Sequence, residues 1–143
     1  MKSEGEMGTT EWLSAVLSDF DCLTGTLHRA DGEWLDLVVA HGVPDQLMPM
    51  ITRIPFGKGI AGAAASTREP VELCNLQEDL GGVAKEGARQ TKVAGSLAVP
   101  VFSSSGDSVL GTLGIGKHVP YDFTDDEKAR LAAVARDVAK EWE

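Results

Sequence analysis

The first candidates for nucleophilic or metal chemistry in this chain are two cysteines and three histidines. Cys22 and Cys74 sit among alternating apolar neighbours, which predicts buried strand positions and small hydrophobes rather than reactive thiols. His28, His41 and His118 are far apart and lack the close spacing of metal ligands, so each reads as a surface or structural residue. No Ser–His–Asp arrangement is recoverable. What remains is chemistry of recognition. Asn75, Asp79, Gln90, Lys92 and Thr112 lie near stretches of small residues and have the groups to orient a small polar molecule.

A glycine pattern is the other candidate. Gly57-Lys58-Gly59-Ile60-Ala61-Gly62 matches G-x-G-x-x-G, with Glu72 in the place of a ribose-binding acid. A dinucleotide site needs a strand running directly into the first glycine and a long crossover helix behind the last. Pro55 interrupts the strand, and Ser66, Thr67 and Pro70 stop the helix after about two turns. The pattern therefore predicts a tight turn and a short helix over Ile60–Ala65. Ala61, Gly62, Ala63, Ala64 and Ala65 let that helix approach a sheet or a ligand closely.

The elements that would position these residues follow from periodicity. The polar residues 1–8 read as a disordered tail, and 9–143 as a single domain with one core. A helix is expected over Glu11–Asp19, capped by Thr9 or Thr10, with Trp12, Leu13, Val16, Leu17 and Phe20 on one stripe. Cys22–Arg29 and Trp34–Ala40 read as a hairpin turning at Ala30-Asp31-Gly32. Gln46–Met50 predicts a helical turn, Ile51–Ile54 an extended segment, and Val71–Cys74 a strand. Residues 75–94 hold no register of period two, beyond one short helix near Val83–Arg89. Long polar connections of this kind are often functional, so this one reads as a lid or pocket wall. Ser96–Phe102 and Ser108–Lys117 form a second hairpin, and Thr124-Asp125-Asp126-Glu127 is a capping box opening a last helix.

The second hairpin has two unlike faces. Leu97, Val99, Val101, Val109, Leu113 and Ile115 are bulky, whereas Ala98, Thr112, Gly114 and Gly116 are small. The bulky face needs the two terminal helices. The small face must be filled by close backbone or by a ligand. The site expected from this reasoning has Ala98, Thr112 and Gly114 as floor, Ile60 and Ala61 as roof, and Asn75, Asp79, Gln90 and Lys92 as polar groups at its wall.

Residues Ile54 to Val71 resemble the signature of GAF domains: Ile-Pro, then Gly-x-Gly-Ile-Ala-Gly, small residues, a charged residue and Pro. Ser96–Val101, Val109–Leu113 and Phe123–Glu127 resemble later strands and the closing helix of the same family, so the resemblance runs from about Glu11 to the C-terminus. It implies an α+β fold of the GAF/PAS-like kind. An antiparallel sheet carries the N- and C-terminal helices on one face and loops or short helices over the other. It implies a sensory or regulatory module that binds a small molecule under the loops and signals through dimerisation or a partner protein. The alternatives implied are a domain that only dimerises and an enzyme like free methionine-(R)-sulfoxide reductase. The latter needs pocket cysteines, one of them where this chain has Ala61. Cyclic-nucleotide binding is matched in part by Gly116-Lys117, Phe123 and Asp126-Glu127, with Gly116 replacing an Asn. Bilin attachment would fall to Cys74, which lacks the usual neighbours. No cofactor is assigned.

Bulk properties bound the partners. Thirteen basic against 22 acidic residues leave a net charge of −9, which disfavours nucleic acid and anionic membrane. No apolar run approaches the roughly 20 residues of a membrane helix, and no secretory signal is visible, so a cytoplasmic location is expected. Trp12 and Trp142 near the chain ends predict a homodimer through the terminal helices.

Overall fold

A computed structural model of the chain describes residues 8–73 and 94–143. The first seven residues of the expected tail and the connection from Cys74 to Val93 lie outside the described residues.

Helix α1 (Thr10–Asp19) starts where Thr9 accepts the Trp12 N–H at 3.1 Å. It buries Leu13, Val16 and Leu17, with Phe20 at its end. Strands β1 (Thr24–Asp31) and β2 (Trp34–His41) form the first hairpin. Their closing pair is Asp31 with Trp34, so the loop is Gly32-Glu33, and Gly32 supplies the positive φ of 63°. The turn lies one to two residues later than the spacing predicts, because Ala30 and Asp31 continue the ladder. Cys22 is not in a strand. It ends the link from α1, its N–H bonded to the Leu17 carbonyl at 2.9 Å and its side chain buried in the core.

A 3-10 turn (Asp45–Leu47) leads into α2 (Met48–Ile51) and then β3 (Arg53–Pro55). Ile51 is helical rather than extended. Pro55 is tolerated because β3 is an edge strand. Helix α3 (Gly59–Thr67) is longer at both ends than expected, since the Thr67 hydroxyl donates to the Ala63 carbonyl at 2.8 Å and holds the last turn. Arg68 ends it in the left-handed region, a position more often taken by glycine. Strand β4 (Val71–Leu73), β5 (Ser96–Phe102), β6 (Val109–Gly116) and α4 (Asp125–Trp142) are the remaining elements among the described residues. The capping box forms as read: Thr124 accepts the Glu127 N–H at 3.0 Å and Glu127 accepts the Thr124 N–H at 2.9 Å.

Among the described residues, six strands make one antiparallel sheet in the order β3-β2-β1-β6-β5-β4. The chain's first strand thus pairs with its last at the centre. Helix α1 lies over β1 and β2, and α4 over β5. The core between helices and sheet contains Leu13, Leu17, Leu27, Leu97, Leu113 and Leu131, all essentially inaccessible. Each such side chain contributes about 1.5–3 kcal/mol. Helix α3 covers β5 and β6 from the opposite face. Among the described residues, no helix is long and apolar enough to cross a membrane.

Candidate functional site

Alternation along the central strands decides what the two faces carry. Gly25 and Leu27 of β1, Leu113 and Ile115 of β6, and Leu97 and Val99 of β5 face the terminal helices. Their neighbours therefore face α3. The ladder pairs them in three rows: Thr24, Gly116 and Ser96; Thr26, Gly114 and Ala98; His28, Thr112 and Pro100. Among the described residues, the buried hydrophobics outside the helix-facing core are chiefly Leu35, Leu47, Ala64, Ala65 and Ala98. The side chains that β5 and β6 themselves put on this face are small.

The middle row is the open part. Ala98 is fully buried, but Thr26 and Gly114 are only partly so. A Cβ on Gly114 would meet Thr26 Oγ1 at 3.4 Å, the Leu97 carbonyl at 3.8 Å and the Ala98 Cβ at 4.0 Å, all within the sheet itself. Gly25 is the contrast on the other face, where an added Cβ would come within 2.8 Å of Leu17.

Among the described residues, three buried polar atoms on this face have no hydrogen-bond partner: His28 Nδ1, Thr112 Oγ1 and Ser96 Oγ. Each residue is 2% exposed or less. Buried polar groups are satisfied in the great majority of cases, and an exception points to a water, an ion or a ligand. His28 and Thr112 are directly opposed across β1 and β6, which puts their Cβ atoms about 4.5–5.5 Å apart. Ser96 lies four residues further along β5, roughly 13 Å away. The trough thus has polar groups at both ends and Gly114 and Ala98 between them.

His28 is fixed from its other nitrogen. Nε2 donates to the Ile51 carbonyl at 2.8 Å, so α2 orients the ring. Burial holds the imidazole below its ordinary 6.5, against the opposing pull of the Ile51 bond and the Asp36 charge. It is neutral at pH 7.

The expected site residues divide as follows. Ala98, Thr112 and Gly114 lie on one floor, and Ile60 and Ala61 are half-buried in α3, which packs against the strands that form it. Asn75, Asp79, Gln90 and Lys92 lie outside the described residues. His28 and Ser96 were missed. The signal for both was present: they stand two and four residues from Thr26 and Pro100 on the small face, in the period-two register of β1 and β5.

Several residues with candidate roles are committed elsewhere. Glu72 accepts the Phe123 N–H at 2.6 Å and pairs with Lys128 at 2.8 Å, tying β4 to α4. In an all-antiparallel sheet it has no crossover to serve, so the G-x-G-x-x-G pattern is a turn, with Gly57 at φ 94°. The Lys117 ammonium donates to the Phe20 and Asp21 carbonyls at 2.8 and 2.9 Å, satisfying the end of α1. The Cys22 thiol is pushed up to about 11, chiefly by burial, on the helix side of the sheet. Among the described residues, no three of His, Cys, Asp and Glu converge as a metal site. A groove of about 400 Å³ runs beside α4, lined by Pro70, Val99, Phe102, Ala132, Ala135 and Ala139 among others.

A family model described as GAF domain matches residues 10–141, and this chain belongs to that family. It is similar to the GAF domain of a phosphoenolpyruvate-protein phosphotransferase from Coxiella burnetii at 19% identity and a TM-score of 0.78, covering 98% of this chain and 83% of that one. It is similar to the fRMsr of Staphylococcus aureus in complex with substrate at 25% identity and a TM-score of 0.71, covering 92% and 80%. The type II free methionine-R-sulfoxide reductase from Thermoplasma acidophilum matches at 15% identity and a TM-score of 0.72, covering 95% and 92%. No curated protein matches the chain. At the general level the family makes this a sensory or regulatory type of module. Reductases stand among the matched structures, so the fold alone does not choose between binding and catalysis.

Proposed function

We propose that this GAF domain is a sensory module that holds a small polar molecule in the trough over Ala98, Thr112 and Gly114 and signals through dimerisation or a partner protein. The observation that carries the reading is the set of three buried polar atoms without a partner among the described residues, His28 Nδ1, Thr112 Oγ1 and Ser96 Oγ, around a partly exposed Gly114. A floor with little volume and a few convergent polar groups is the usual form of a small-molecule site. A binding role is favoured over a reductase role because Ala61 takes the place of the cysteine that chemistry requires, and because the Cys22 thiol is buried on the opposite face. The test is mass spectrometry of small molecules released on denaturing the purified protein, with Gly114→Leu as control. The reading expects a compound released from the wild type and lost in the variant. Equal release from both would overturn it.

Dimerisation is the second part of the proposal. Trp142 is half-buried against Gly111 and lies under the Arg29 guanidinium at 4.9 Å, so its ring is partly used within the chain. The groove beside α4, with its row of alanines, supports this helix as the contact surface. Light scattering at tens of micromolar should give twice the chain mass, and a monomer would refute it.

A further inference from the structure

The donor and acceptor polarity of the His28 end is determined by the ring's other contact. A backbone carbonyl can only accept, so Nε2, at 2.8 Å from the Ile51 oxygen, carries the proton. A neutral imidazole has one N–H, which leaves Nδ1 a bare lone pair. That lone pair is buried and meets no donor. Across the ladder, the Thr112 hydroxyl is equally buried and unpaired, and it can either donate or accept. Their row adjoins, on the same face, the row of the partly exposed Gly114.

Resting on the reading of the trough as a binding site, we propose that the His28–Thr112 end selects an uncharged ligand group that carries an N–H donor beside an oxygen acceptor, as a carboxamide does, and rejects carboxylate and phosphate. The amide N–H would satisfy His28 Nδ1 and its oxygen would take the Thr112 O–H. A carboxylate offers Nδ1 only lone pairs, which leaves the histidine unsatisfied and adds a buried charge. The basic residue next to β6, Lys117, does not relieve that charge, since its ammonium is held by two carbonyls of the α1 terminus. The net charge of −9 works in the same direction.

The test uses the full chain with ¹⁵N-labelled histidine and a near-isosteric pair of probes, propionamide and propionate. Long-range ¹⁵N–¹H spectra of the free protein should show His28 as the Nε2–H tautomer, and an Nδ1–H tautomer overturns the proposal outright. On titration, propionamide should shift His28 Nδ1 together with the Gly114 amide, and should bind about tenfold or more tightly than propionate. His28→Phe should remove that preference while Gly114 still responds. Equal binding of the two probes, or tighter binding of propionate, with Gly114 shifting, refutes the selectivity and leaves the trough as a binding site. No response at Gly114 or Ala98 to either probe refutes both.

Discussion

Gly114→Ala separates an open trough from a dry, closely packed face. Gly114 has a backbone conformation that any residue adopts, and the new methyl would meet its nearest neighbour at 3.4 Å, an ordinary contact. With no clash to offset, the dominant effect is on the unfolded chain. Replacing glycine where the native conformation suits alanine stabilises by about 0.4–1 kcal/mol. Urea unfolding should therefore show a raised midpoint at unchanged slope, and the melting temperature should rise by on the order of 1–3 °C. Gly114→Leu extends the same test: its side chain fills the trough, costs about 1–3 kcal/mol by crowding Thr26 and Ala98, and abolishes ligand binding. A loss of more than about 2 kcal/mol in Gly114→Ala would mean that the face is tightly filled, and the reasoning from volume would be wrong.

Gly111→Ala, three residues earlier on the other face, should behave oppositely: its Cβ would overlap the His28 carbonyl and approach the Trp142 ring at 2.9 Å, so a loss on the order of 3 kcal/mol is expected in the same assay. Thr124→Ala removes the capping box of α4 and should lower stability by about 1 kcal/mol in urea, with Thr124→Ser restoring most of it. His28 links stability to pH. Its folded value lies below the ordinary 6.5, so above about pH 6.5 it contributes no pH dependence. Below that, the unfolded chain takes a proton that the folded chain refuses, and stability falls by up to about 1.4 kcal/mol per pH unit. Unfolding midpoints of wild type and His28→Phe, compared at about pH 7.5 and 5.5, should show the steeper acid loss in the wild type, and parallel loss would contradict it.

The elements that read well from the sequence are those whose local chemistry and packing agree. The stripe of Leu13, Val16 and Leu17 and the capping box of Thr124 and Glu127 state their helices directly. The alternation of Leu97, Val99 and Val101 against Ala98 gives both faces of β5. Boundaries shifted where a hydrogen bond outside the periodic pattern decides them. Cys22 alternates with its neighbours like a strand residue, yet its N–H goes to the Leu17 carbonyl at the end of α1 instead of a ladder. Ile51 reads as the first residue after a helical turn, yet it ends α2 and its carbonyl receives His28. The site was half legible. Its floor follows from small residues at period two, which set Thr112 and Gly114 together. His28 reads from the sequence only as a surface or structural residue, and Thr112, opposite it, becomes its neighbour only when β1 pairs with β6 across more than eighty residues of chain.

The most direct test of the central claim is a crystal structure of the protein as purified, or soaked with propionamide, with attention to density between His28 and Thr112. The account predicts a bound small molecule over Gly114, with a donor at about 2.7–3.2 Å from His28 Nδ1 and a second contact to Thr112 Oγ1. A trough filled by the protein's own side chains, with one of them donating to His28 Nδ1, would contradict it.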